Sequence, residues 1–273
     1  MKVAVLIPSH LKSDSDVSNI YKCLDSLMKQ TVVPDIYASI SFANDSVKQT
    51  FTKEVMQEFS KVKYAFSKEQ KFQMEHLYNL VRFINKYDLI MFCDDDDTYV
   101  ETRVEGFIYY YQQGKKEGPT AAGAREFTVD KDVDCAPEYW AYAIIPSLLE
   151  VFFERFKDNM DLLKHKWADM YLRDYLRRTG GNNTIIVAIQ GETPMYNYNI
   201  SNPDSICSIY KKMTKDRRFT NTVILDNLLL ATITIRNDMF IEQKNASRIT
   251  DSQMKKVFPE RERIAKFVEQ LYL

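Results

Sequence analysis

Between Lys2 and Cys93 the sequence alternates regularly between short apolar runs and apolar residues set at helical spacing, and no other feature narrows the fold as much. Lys2–Ile7 is an apolar run ending at Pro8 and reads as a buried strand. From Val17 onward, Val17, Ile20, Tyr21, Leu24, Leu27 and Met28 recur with a helical period. Asp35–Phe42 reads as a second strand, Val47, Phe51, Val55 and Phe59 as one face of a second helix, and Val62–Phe66 as a third strand. Met74, Leu77, Leu80, Val81 and Ile84 mark a third helix, and Asp88–Cys93 is a continuous apolar strand. Elements with one apolar face must bury it against another layer. Strands alternating with helices do so as a mostly parallel sheet covered by helices. The expected class is α/β, with a mostly parallel, Rossmann-like central sheet flanked by helices.

Beyond Gly106 the rhythm loosens. Thr120–Ala124 and Tyr139–Ile145 read as strands, and Pro146–Phe156 as a helix with proline in its first turn. Trp167–Arg178 reads as a helix closed by Gly180 and Gly181, and Thr184–Ile189 as a β-branched strand. From Pro203 the pattern is mostly helical, ending in a charged amphipathic tail over Asp251–Leu273. One compact domain over 1–200 is expected, in two halves (1–100 and 101–200), with a helical extension over 201–273 packed on it.

Composition excludes several classes. Only 7 of 273 residues are glycine, and none precedes Gly106. A Walker A loop or a G-x-G-x-x-G turn is therefore absent from the first half, since both use glycine to bring backbone close to phosphate. The net charge of −1 gives no broad footprint for nucleic acid. The four cysteines are scattered without a C-x-x-C pair, and the three histidines are dispersed. Neither a zinc site nor a disulfide scaffold is implied, and the thiols are expected to be reduced. No apolar run is long enough to cross a bilayer, and the opening MKVAVLIPSH reads as a strand rather than a signal peptide. The expected compartment is the cytoplasm. The richness in Lys, Tyr and Ile suits an AT-rich genome; for a viral chain the compartment would be the host cytoplasm.

Asp94, Asp95, Asp96 and Asp97 follow directly on the last of these strands. Ligands of open α/β sheets bind beyond the carboxyl ends of the strands. Neighbouring carboxylates repel more strongly as the dielectric falls, so four in a row call for a cation. An all-oxygen ligand set selects Mg²⁺ or Mn²⁺ over zinc. The alternative is that these aspartates cap a helix beginning near Thr98.

Two enzyme patterns share this cluster. Asp94, Asp96 and Thr98 match the D-x-D-x-T of haloacid dehalogenase-like phosphatases. In that family the motif ends the first strand, whereas here three strand–helix units precede it. The wider sequence resembles the inverting nucleotide-sugar glycosyltransferases of the GT-A fold, most like family 2. VAVLIPSH is similar to that family's first strand and turn, and LDSLMKQT followed by Asp35–Ser41 to its first helix and second strand. IMFCDDDD is similar to its strand with D-x-D-D, and WADMYLRDYLRRTGG to its acidic motif before a helix ending in Arg and Gly. A further alternative is a GT-A domain that binds sugar without catalysis.

The resemblance implies transfer of a sugar from a nucleoside-diphosphate sugar, UDP- or GDP-linked, to the hydroxyl of a glycan or glycoconjugate. It assigns the nucleotide to the first half and the acceptor to the second. Pro8, Ser9, His10, Asn44, Asp45, Lys71, Asp94 and Asp95 are then expected around the nucleotide. The family's D-D-G-S turn is replaced here by Ala43-Asn44-Asp45-Ser46, which leaves the base preference open. Asp94, Asp96 and Asp97 are expected at the metal, with Asp94 orienting ribose or a metal-bound water. Asp169 is expected to be the catalytic base, with a pKa lowered by its place in the first turn of a helix. Asp174, five residues on, is a poorer candidate. Trp140, Tyr142, Trp167 and Tyr171 form either a sugar-stacking wall or core. Lys211, Lys212, Lys215, Arg217 and Arg218 either close over a diphosphate or form a solvated helix face.

Overall fold

The computed structural model describes residues 1–118, 120–126, 138–181, 186–189, 195–199 and 251–271. It divides into two compact units, Met1–Asn199 and Ile200–Leu273. Of the helical extension expected in the second unit, one helix is described, Asp251–Leu271. The basic stretch 211–218 lies outside the described residues, as do Cys135 and Cys207.

The first unit begins β1 (Val3–Leu11), α1 (Asp14–Met28), β2 (Asp35–Phe42), α2 (Asp45–Phe51), β3 (Lys63–Ser67), α3 (Gln73–Val81) and β4 (Leu89–Phe92). It continues with β5 (Thr98–Tyr99), α4 (Arg103–Glu117), β6 (Gly123–Glu126), β7 (Tyr142–Ile144), α5 (Pro146–Glu154), α6 (Asp169–Gly181), β8 (Ile186–Ile189) and β9 (Tyr196–Asn197). Seven strands form one sheet in the order β3-β2-β1-β4-β7-β6-β8, while β5 and β9 pair separately. The ladders are parallel except where β7 meets β4 and β6. The α/β class with a mostly parallel sheet flanked by helices is the one observed. β1, β2 and β4 are buried along nearly their whole length, which explains their near-continuous apolar runs.

Three local differences from the sequence reading have physical causes. β1 runs through Pro8 to Leu11 rather than ending at the proline. The carbonyls of Lys2 and Leu6 accept from Leu89 and Cys93, so even positions of β1 face β4. β4 pairs only as far as Leu6, so Pro8 falls past that ladder and has no hydrogen bond to lose. Tyr139–Ala141, expected as strand, is a 3₁₀ turn leading into β7. No helix begins at Thr98. Thr98–Tyr99 pairs with Asn197–Tyr196 instead, and α4 starts at Arg103.

Arg103 is fully buried and lies 3.0 Å from the equally buried Glu126, an ion pair without hydrogen-bond alignment between those two atoms. Its Nη2 donates to the carbonyl of Trp140 at 2.9 Å. The rings of Tyr99, Tyr196 and Phe107 lie 4.5, 4.6 and 5.1 Å from its guanidinium carbon. Glu126 also accepts from the backbone N–H of Met195. One buried cation thus ties α4, β6, the 3₁₀ turn and the segment containing β9 together. Removing one member of such a pair strands the other in low dielectric. Arg103→Met is expected to lower unfolding free energy by about 3–5 kcal/mol in urea denaturation, and Arg103→Met/Glu126→Gln to recover part of that loss.

Candidate active site

β4 delivers Asp94–Asp97 to the carboxyl end of the sheet, and distant segments close around them. Ser9, on β1, donates to Asp95 Oδ2 at 2.5 Å. Gln73, the first residue of α3, donates to Asp94 Oδ1 at 2.8 Å, and Tyr139 from the 3₁₀ turn bonds the same oxygen. Asp97 is 1% exposed, and both of its oxygens are engaged. Tyr196 OH donates to Oδ2 at 2.8 Å and the Asn199 N–H to Oδ1 at 2.7 Å. Tyr196 OH also accepts from the Asp94 N–H at 3.0 Å. Trp140 stacks on Tyr196 with centroids 4.1 Å apart and planes at 9°, fixing that hydroxyl.

The electrostatics of the cluster follow from burial and mutual repulsion. Burial first, then the charge of Asp97, raises the Asp94 carboxyl well above the ordinary carboxylate range, against the Tyr139 hydrogen bond. Burial and Asp96 push Asp95 up to about 7. Burial also carries Asp97 to about 7, although Asn199 and Tyr196 oppose the shift. A site that holds protons this tightly has surplus negative charge, the condition that a divalent cation relieves. Among the described residues no three His, Cys, Asp or Glu side chains gather as a metal-holding group. Mg²⁺ characteristically takes only one or two carboxylates and completes its shell with water and substrate phosphate, so this donor chemistry fits such an ion. Asp97, expected as a ligand, accepts from Tyr196 on one oxygen and from Asn199 on the other.

Asp169 is the first residue of α6. Its Oδ1 is buried without a hydrogen-bond partner among the described residues. Its pKa is raised to about 7 rather than lowered. Burial and the charge of Glu138 outweigh Arg173 and the two backbone N–H groups that favour the anion. Glu138 pairs with Arg173 at 3.4 Å, and burial raises its own carboxyl. Asp174 is 1% exposed; its Oδ1 accepts from Arg173 Nε at 3.3 Å and Nη2 at 3.2 Å, and its Oδ2 is buried without a hydrogen-bond partner among the described residues. Tyr139 bonds Asp94 and feels the charge of Asp169. After burial, its phenol is raised by Asp94 and then by Asp169.

The remaining candidates fall in different places. The Asn44 side chain caps α2, accepting from the Val47 N–H at 3.0 Å, and Asp45 is the exposed first residue of that helix. Pro8, Ser9 and His10 lie together on β1, with Ser9 on the cluster and His10 Nδ1 2.9 Å from Ser41 Oγ. Lys71 donates to Asn79 Oδ1 at 3.2 Å. Of the aromatic set, Tyr142 and Tyr171 are core, Trp140 braces Tyr196, and Trp167 is half-buried. The sequence reading missed Gln73, Tyr139, Tyr196 and Asn199. Each lies far from Asp94–Asp97 in sequence, in a segment with no pattern pointing to it.

No protein-family model matches the sequence, and no curated protein sequence matches it. Solved structures do resemble it. S. aureus TarS 1-349 in complex with UDP-GlcNAc is 14% identical with a TM-score of 0.48, over 99% of this chain and 84% of that one. S. aureus TarS is 14% identical with a TM-score of 0.47 over 84% of this chain and 40% of that one, so this chain spans less than half of that protein. Glucosyl-3-phosphoglycerate synthase from Mycobacterium tuberculosis, in complex with Mg²⁺ and uridine diphosphate, is 13% identical with a TM-score of 0.42 over 78% of this chain and 79% of that one. At these identities the likeness is one of overall fold.

Proposed function

We propose that the chain is a metal-dependent inverting glycosyltransferase that moves a sugar from a nucleoside-diphosphate sugar to an acceptor hydroxyl. One observation carries this reading: two acidic centres of different character both act on Tyr139, Asp94 through a hydrogen bond and Asp169 through its charge. Asp94–Asp97 is a crowded anionic site at a strand end, suited to a cation and a diphosphate. Asp169 is a single carboxylate with one buried oxygen that has no hydrogen-bond partner among the described residues and a pKa raised to about 7, suited to taking a proton.

Asp94 and Asp96 would hold Mg²⁺ or Mn²⁺, and such an ion supplies charge neutralisation for the departing diphosphate. The chain's own residues do the rest. Gln73 and Tyr139 fix the orientation of Asp94, while Tyr196 and Asn199 anchor Asp97 and so hold the turn in shape. The acceptor oxygen attacks the anomeric carbon, the bond from that carbon to the diphosphate oxygen breaks, and the acceptor proton passes to Asp169. Arg173, paired to Glu138 and Asp174, keeps Asp169 from rising further in pKa.

The decisive test is a thermal-shift and transfer screen of UDP- and GDP-sugars with and without Mn²⁺. Stabilisation that requires both sugar nucleotide and metal supports the reading; no response to any sugar nucleotide overturns it. Asp96→Ala is expected to remove the metal-dependent part of donor stabilisation while leaving the melting temperature of the free protein near that of the parent. Asp169→Asn is expected to lower turnover by about 10²–10⁴ with donor affinity retained. The Asp169 pKa is raised to about 7, so the carboxylate is protonated below that pH. Turnover should therefore fall as pH drops through about 7 and level off above it. A pH-independent rate between about 5 and 8, or a product that retains the donor's anomeric configuration, would remove the base role from Asp169.

A further inference from the structure

α3 and α5 pack against each other and leave a groove of about 580 Å³ at their junction. Its apolar lining is Val81, Phe153 and Met160, and its charged lining is Arg82, Glu150, Glu154 and Lys157. Tyr78 also lines it, with its ring leaning on Phe153 at a centroid distance of 5.5 Å and an interplanar angle of 59°. Phe153 is 3% exposed and Tyr78 44% exposed, so Phe153 is the fixed support and Tyr78 the accessible ring.

The lining narrows the ligand by charge and by shape. Two cations and two anions cancel, so the groove favours neither an anionic nor a cationic ligand over a neutral one. Glu154 and Lys157 meet at 3.4 Å with 73% of each side chain exposed, and both keep hydrogen-bonding capacity beyond that contact. Arg82 is exposed and Glu150 half-buried. A purely apolar ligand would take water from these charges and return nothing. A neutral sugar would not. A pyranose has an apolar C–H face, which suits an aromatic ring, and a belt of hydroxyls that both donate and accept, which suits carboxylates and cations side by side. The volume lies within the range of about 300–1,000 Å³ typical of small-ligand sites.

The two walls also lead to the candidate active site. α3 begins at Gln73, which donates to Asp94, and Tyr78 lies about 8 Å further along the helix axis. The chain beyond α5 passes through Met160 to Asp169, the first residue of α6.

We propose that the α3–α5 groove is a carbohydrate-binding site, separate from the acidic turn, that holds a neutral oligosaccharide portion of the acceptor. The acceptor role rests on the glycosyltransferase reading above, whereas sugar binding in the groove rests on the groove's own residues.

Binding is measured on the full chain without nucleotide or metal, by saturation-transfer NMR and titration calorimetry. The probes are neutral oligomers of hexose, pentose and N-acetylhexosamine: maltotetraose, cellotetraose, mannotetraose, xylotetraose and chitotetraose. At least one is expected to bind. Tyr78→Ala is expected to weaken that binding about tenfold or more, and Tyr78→Phe, which keeps the ring, to hold it within about threefold. Tyr78→Ala also loses packing on Phe153, so Glu150→Gln, which changes charge but not shape, is the second variant. It is expected to weaken binding by at least about threefold. Urea midpoints of the variants separate loss of the site from loss of the fold.

No binding of any of these oligomers overturns the site. Binding that neither Tyr78→Ala nor Glu150→Gln weakens puts the sugar elsewhere and overturns the groove. Weakening by either variant, with the urea midpoint held, supports it. Groove binding in a protein that responds to no sugar nucleotide leaves the carbohydrate site standing and overturns its acceptor role together with the transfer reading.

Discussion

Four carboxylates in succession at the end of a buried strand are in conflict with their surroundings, and the architecture of the first unit is organised around containing that conflict. Each has gained like-charged neighbours, and burial has taken water from Asp94, Asp95 and Asp97. Water is replaced by donors drawn from widely separated segments: Ser9 from β1, Gln73 from α3, Tyr139 from the 3₁₀ turn, Tyr196 from β9 and Asn199 from just beyond it. The containment is incomplete, since Asp94, Asp95 and Asp97 all remain raised in pKa. That residual charge is what the proposed cation would relieve.

The same economy of buried polar groups appears on the α3 face of the sheet, where it serves a different end. Around the aspartates, donors converge on acceptors and hold shape. Between Lys71 and His10, donors and acceptors are strung in series through Asn79, Ser39, His76 and Ser41. Ser39 and Ser41 are small enough to fit between strand and helix, and each offers one hydrogen and lone pairs to its neighbours.

Much of this was legible in the sequence, and the limits are instructive. The strands β1 to β4 and the helices between them follow from apolar periodicity alone. The acidic cluster was visible because four like charges after an apolar run contradict ordinary strand composition. The pairing of Thr98–Tyr99 with Tyr196–Asn197 was not visible, since two-residue strands have no period, and a helix start was the local preference. The pKa of Asp169 was read in the wrong direction because helix position is local, whereas burial and Glu138 come from tertiary packing. Ser39 and Ser41 did leave a trace: polar residues at alternate positions of a strand with helices on both sides. Their partner His76 shares no sequence neighbourhood with them.

The small β5–β9 ladder has a consequence for what supports the acidic turn. It joins residues about a hundred positions apart, and the Tyr196 hydroxyl on β9 and the Asn199 amide two residues beyond it are the groups that quiet Asp97. Contacts of such long range must meet their loop-closure entropy before they reward it. Without that ladder Asp97 has neither of these donors. Support of the acidic turn is thus a property of the tertiary fold and not of the local strand–helix units.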